Sequence, residues 1–388
     1  MTVIIENANI VAADRVITVG SLTVRDGKIM RIDERLPDSL AADAERYDAR
    51  GMYVYPGFVD LHVHGGNGFD LMDAAPEAIT GMCRYHAAHG TTTLLPTTRT
   101  ASVQAIAAAL AAARHYMESS AEPLRQLIAG IHLEGPFLAS AYRGAQKEEE
   151  LLPPSVSLME EWLNVSGGNI RLVTIAPELN GSEEVIRYLR RCHVVVSAGH
   201  SGATYDEMAL AAEWGVRHIT HCYNGMRGFH HREPGMLAAA WLNEDIYTEL
   251  IFDTHHAHPA AAQTLLKMKG LNRVVLVTDA VRPAGLADGT YRTEAGHSLT
   301  VQNGIVRLAS GSLAGSTLTM NTAVRNVIEL LGLKPYEAAR LASLNPAHIL
   351  GLDHCKGSLE PGKDADLVVM NDRFEVQRVM SLGQWLDV

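Results

Sequence analysis

Between residues 58 and 278, eight short apolar runs alternate with stretches of helical spacing, and that alternation limits the fold more than any other feature of the 388-residue chain. Strands that alternate with helices build a parallel sheet with the helices packed outside it, because each parallel crossover needs a dozen or more residues. The runs lie at 58–63, 91–95, 129–133, 171–175, 194–198, 217–220, 248–252 and 274–278. Between them, residues 77–89 close at Gly90, the alanine-rich stretch 102–117 fits an outer helix, and Thr204-Tyr205-Asp206-Glu207 is a capping box opening a helix that ends at Gly215. Val324, Val327, Ile328 and Leu331 keep helical spacing up to Gly332, and Pro335 starts a further helix. The class is α/β, with a (β/α)8 TIM-like barrel as the expected architecture.

The two ends read differently. Residues 2–5, 17–24, 29–32 and 52–54 look like strands, with an Asp26-Gly27 turn and no helical spacing. After Gly357, turn chemistry through Pro361-Gly362 feeds a strand at 367–370. Residues 1–55 plus 356–388 are therefore expected to pair into a small β-sandwich domain, and 56–355 to form the barrel domain.

Composition narrows the function. A formal net charge of −11 without a basic stripe disfavours nucleic acid. No apolar run approaches the roughly 18 residues that span a bilayer, which excludes a helical membrane anchor. Cys83, Cys192, Cys222 and Cys355 lack C-x-x-C spacing, so neither a disulfide scaffold nor a thiolate zinc site is expected. The N-terminus has no basic-then-apolar leader, and the expected compartment is the cytoplasm.

Polar residues follow the apolar runs at regular places. His62 and His64 alternate at the end of the first run, so they share a face. Glu134, His200, His221 and Asp279 each sit just past another run. Taken singly, each has an ordinary explanation: a loop histidine, or an aspartate capping the next turn. Taken together they fall at the C-terminal strand ends, where a barrel gathers its active site. Imidazole and carboxylate without thiolate suit zinc, iron or manganese. Such a centre does hydrolytic chemistry, with Asp279 as the general base that takes a water proton and returns it to a leaving amine.

Pro56-Gly57-Phe58-Val59-Asp60-Leu61-His62-Val63-His64-Gly65-Gly66, His132-Leu133-Glu134-Gly135-Pro136-Phe137, Ser197-Ala198-Gly199-His200-Ser201, Thr220-His221, His231-Arg232-Glu233-Pro234-Gly235 and Leu276-Val277-Thr278-Asp279-Ala280 resemble the amidohydrolase superfamily. Within it the chain is similar to the N-acetylglucosamine-6-phosphate deacetylase family over nearly its whole length. The resemblance implies a carbon–nitrogen hydrolase in which Glu134, His200 and His221 hold one metal. Because His62 and His64 are present, two divalent transition metals per chain are expected, with Glu134 bridging. It further implies substrate contacts from Ala145, Gln146, Asn224, Gly225, Arg232, His255, His256, Leu313, Ala314 and Gly315. Arg232 and His256 would grip a phosphate from across a homodimer interface, a guanidinium fork suiting paired phosphate oxygens. The alternative for Arg232 is a surface salt bridge to Glu233.

One departure stands out: Gln146 replaces a histidine of many relatives, and N-acetyl-D-glucosamine 6-phosphate is the substrate the resemblance implies, with its galacto epimer as the alternative. Rival readings are a cyclic amidase or nucleobase deaminase on the same scaffold, and a non-catalytic assembly protein that has lost its metal. All six ligand positions are filled here, which disfavours the last.

Overall fold

The computed structural model describes residues 2–35, 44–292 and 298–388. Each of the eight apolar runs is a strand: Phe58–Val63, Thr91–Pro96, Ile131–Glu134, Ile170–Ile175, Val195–Ala198, Val216–Ile219, Tyr247–Leu250 and Val274–Leu276. The last six pair in sequence order as one parallel sheet, and the first two pair with each other. Parallel bridges join Leu94 to Ile128, Thr97 to His132 and Val63 to Ala280. Every residue of Phe58–Val63, Thr91–Pro96, Ile131–Glu134 and Tyr247–Leu250 is buried, as strands covered on both faces must be.

Caps fix the helix ends. Thr204 Oγ1 accepts from the Glu207 N–H at 3.2 Å while a Glu207 carboxylate oxygen accepts from the Thr204 N–H at 2.8 Å, and the helix Tyr205–Trp214 stops at Gly215. The helix Met320–Leu331 ends on Gly332 with a left-handed φ of 74°, a conformation that favours glycine. Among the described residues no helix is long and apolar enough to cross a membrane.

The chain divides into two compact units, one of residues Met1–Asp60, Arg84–Thr93 and Thr319–Val388, the other of Leu61–Cys83 and Leu94–Leu318. In the first, both chain ends enter one sheet of eight strands: Tyr53–Pro56 lies parallel to Thr2–Val11 and antiparallel to Leu367–Met370. Val3, Ile5, Ile10, Leu22, Val24, Ile29, Val54, Leu367, Val369 and Met380 form its core. The edge strand Glu45–Asp48 joins the same sheet, although its polar sequence gives no apolar pattern.

The second unit holds a three-stranded antiparallel sheet, Gly289–Arg292, Ser298–Gln302 and Ile305–Leu308, that the alternation argument does not reach. Its local signal is Asn303-Gly304, two residues with φ of 52° and 72° closing a tight hairpin.

The turn that feeds Phe58–Val63 depends on a missing side chain. The Gly57 N–H donates to the Asp366 carbonyl at 2.8 Å, and a Cβ on Gly57 would lie 2.0 Å from Thr92 Oγ1 and 2.7 Å from its Cγ2. Gly57→Ala is expected to destabilise the protein by about 1–3 kcal/mol through overpacking. Adding Thr92→Ala, which removes both crowded atoms, restores part of the loss; urea unfolding of the two single variants and the double checks the coupling.

Candidate active site

The strand ends deliver their polar residues to one place. Glu134, the last residue of its strand, sits at the middle: its Oε1 is 3.4 Å from His62 Nε2, 3.2 Å from His200 Nε2 and 3.3 Å from His221 Nε2, and its Oε2 is 3.3 Å from His64 Nε2. Asp279 Oδ1 lies 3.5 Å from His62 Nε2 and 3.4 Å from His64 Nε2. All six residues are buried. His200, His221 and Asp279 adopt left-handed φ values of 48°, 29° and 48°, a conformation that costs a residue other than glycine about 1–3 kcal/mol and collects at functional sites.

The other ring nitrogen of each histidine is tied down. Nδ1 of His64, His200 and His221 lies 3.2, 2.9 and 3.1 Å from the main-chain oxygens of Thr97, Tyr142 and Asn224, and His62 Nδ1 lies 3.0 Å from Glu249 Oε2. A carbonyl only accepts, so Nδ1 must carry the proton and the neutral ring aims its Nε2 lone pair at the centre. His62 and His64 Nε2 are 3.3 Å apart, and those of His200 and His221 are 3.1 Å apart. Lone pairs that close, beside two carboxylates, need a positive charge between them.

Protonation of the imidazoles supplies that charge when no cation does. Burial alone would lower the His62 and His64 pKa values, but the Asp279 and Glu134 carboxylates outweigh it, raising His62 well above its ordinary value and His64 to about 9. Burial pushes the Asp279 carboxyl up, and His62 with His64 brings it down to about 2. The donors fall into two groups able to hold a metal ion, His62 with His64 and Asp279, and Glu134 with His200 and His221. Nitrogen and oxygen donors with fixed tautomers fit a divalent transition metal.

All of these residues but His62 line an open cavity. Ala145, Gln146, Ala314 and Gly315 line it; Leu313 does not. The Gln146 side chain accepts from the Thr100 N–H at 2.8 Å and donates to Glu134 Oε2 at 2.7 Å. Asn224 and Gly225 stand behind the histidines, and a Cβ on Gly225 would come within 3.0 Å of His200 Nδ1. His256 Nδ1 donates to Asp253 Oδ2 at 2.7 Å; burial lowers its pKa, but Asp253 and Asp279 raise it above its ordinary value. His255 and Arg232 are exposed and not part of the cavity wall. Arg232 Nη1 donates to His231 Nε2 at 3.0 Å, whereas Glu233 pairs with Arg227 at 3.6 Å.

Residues 53–386 match the Amidohydrolase family. The chain belongs to that family. Over 364 residues this amidohydrolase is 40% identical to the N-acetylgalactosamine-6-phosphate deacetylase of Escherichia coli O157:H7, a match covering 94% of this chain and 93% of that one. It is 38% identical over 376 residues to the N-acetylglucosamine-6-phosphate deacetylase of Bacillus subtilis (strain 168), covering 97% and 94%. A mutant of the N-acetyl-D-glucosamine-6-phosphate deacetylase of Mycobacterium smegmatis, solved in complex with N-acetyl-D-glucosamine-6-phosphate, superposes with a TM-score of 0.91 at 31% identity over 99% of both chains.

Several residues of the amidohydrolase site carry no obvious mark in the sequence. Asp70 pairs with Arg99 at 2.6 Å and Asp73 pairs with Arg282, so two guanidinium groups fix the loop that follows His64 to the cavity wall. Leu299 and Leu308 bring an apolar wall from the antiparallel sheet. Glu249 is marked only as a carboxylate inside the apolar run 248–252.

The raised histidine pKa values set a pH signature. Without a cation, the stability from the imidazolium–carboxylate contacts is complete below the unfolded histidine pKa of about 6.5 and is lost as pH rises through about 9, the folded value for His64. A bound cation needs neutral rings and so reverses the trend. The melting temperature of chelator-stripped protein is expected to fall between about pH 6.5 and 9 while that of metal-loaded protein does not. Parallel melting curves across that range would refute the assignment.

Proposed function

We propose that this amidohydrolase removes the acetyl group from N-acetyl-D-glucosamine 6-phosphate, releasing D-glucosamine 6-phosphate and acetate. The observation that carries the reading is the ring of four Nε2 atoms and two carboxylates, each imidazole anchored at Nδ1. Deacetylase relatives identical at 38–40% over at least 94% of the chain supply the substrate class.

Glu134, His200 and His221 would hold one divalent cation and His62, His64 and Asp279 a second, with Glu134 between them; zinc, iron or manganese suits these donors. When bound, the cations supply Lewis acidity that polarises a carbonyl and makes water more acidic. Asp279 takes the proton from the attacking water as its oxygen bonds to the acetyl carbon. As the carbon–nitrogen bond breaks, Asp279 passes that proton to the sugar amine, which leaves neutral. Gln146 orients Glu134 through the 2.7 Å bond, and Ala145, Ala314 and Gly315 bound the space for the sugar.

His256, whose imidazolium is favoured by Asp253, would contribute to the phosphate site across a homodimer interface. The exposed Arg232 guanidinium would reach the phosphate of a second subunit in a homodimer, with His255, Asn224 and Gly225 completing the contacts. A phosphorylated sugar does not cross a bilayer unaided, which favours a cytoplasmic enzyme. The Val63–Ala280, Leu94–Ile128 and Thr97–His132 bridges support closure of the eight parallel strands into a (β/α)8 barrel over residues 56–355. The shared terminal sheet supports a small β-sandwich domain of residues 1–55 plus 356–388.

The galacto epimer is the second reading, favoured by the 40% identical relative. Acetate release from both N-acetylhexosamine 6-phosphates, assayed side by side, decides it: a strong galacto preference overturns the first reading. Asp279→Asn is expected to lower kcat by about 10²–10⁴-fold, the usual reach of acid–base catalysis. Metal content measured on the same sample separates a lost base from a lost cation, and full activity in this variant would end the mechanism.

A further inference from the structure

Glu249 lies inside the strand Tyr247–Leu250 and is 0% exposed. A carboxylate there is costly, since burial strips water from its charge and a strand covered on both faces is ordinarily apolar. Its oxygens are used unequally. Oε2 lies 3.0 Å from His62 Nδ1 and accepts from the His221 main-chain N–H at 2.9 Å. Oε1 has no hydrogen bond among the described residues, and His218 Nδ1 stands 3.8 Å from it, bonded instead to Ser197 Oγ at 3.0 Å. The Glu249 main-chain oxygen accepts from the Cys222 N–H at 3.0 Å, so side chain and backbone of one residue hold the turn that carries His221.

His62 belongs to one candidate metal group and His221 to the other. A buried carboxylate kept only for packing or network continuity would satisfy both oxygens; here the bonded oxygen is the one shared by the two groups. We propose that Glu249 is a positioning residue that couples the two cation sites, setting the His62 ring and the His221 turn against each other through one oxygen. The proposal rests on the two-cation reading above. It makes the His62, His64 and Asp279 site the more dependent one, because Glu249 holds a ligand ring there and only a main-chain N–H in the other.

The test is calorimetric titration of chelator-stripped, full-length protein with Zn²⁺ alone. Wild type is expected to show two binding events. Glu249→Gln keeps the shape and an acceptor oxygen but loses the charge, and should weaken one event by about 10–100-fold, the usual cost of losing such an outer partner, while the other changes far less. Ser197→Ala, which cuts the polar contacts beyond Glu249, should leave both events as in wild type. Two unaltered events in Glu249→Gln, or the same loss in Ser197→Ala, overturn the proposal and leave the two-cation reading intact. A single event in wild type removes that reading and this proposal with it. Should Glu249→Gln fail to fold, a crystal structure of chelator-stripped wild type serves: His62 Nδ1 is expected to stay within hydrogen-bonding distance of Glu249, and a ring turned away refutes the coupling.

Discussion

Four imidazole nitrogens and two carboxylates, each within about 3.5 Å of at least one other, repel unless positive charge lies among them, and the surrounding structure is arranged to enforce that crowding. Holding it takes rigid supports. These side chains leave the ends of buried strands, where the backbone has no freedom to swing them apart. Left-handed φ values at His200, His221 and Asp279 turn the chain back toward the centre just past its strands. That strain persists only because the neighbouring hydrogen bonds over-determine it.

The eight strands and the six central residues are legible in the sequence because each is a side-chain signal: an apolar run, then a charged or titratable residue at its end. The anchors are not. Thr97, Tyr142 and Asn224 orient histidines through main-chain oxygens, which any residue possesses, so their identities reveal nothing. Glu249 is a side-chain anchor and does leave a trace, a carboxylate within an apolar strand. Its meaning depends on a partner 187 positions away.

Short antiparallel strands were beyond the same argument for another reason. Ser298–Gln302 alternates buried and exposed residues, but five residues are too few to separate that pattern from chance. Its Asn303-Gly304 turn was the stronger clue. The consequence bears on the site, since Leu299 and Leu308 from this sheet line the same cavity as His64, Glu134, His200, His221 and Asp279.

Gln146 shows how a side chain that does not titrate can do orienting work within a site. An imidazole can be charged or neutral, whereas a primary amide keeps the same donors and acceptor at every pH near neutrality. Here its acceptor is taken by the Thr100 N–H and one donor by Glu134, so the side chain is clamped between a loop and the central carboxylate. A residue held at both ends orients Glu134 without titrating. Residue 146 therefore adds no titration of its own to this side of the cavity.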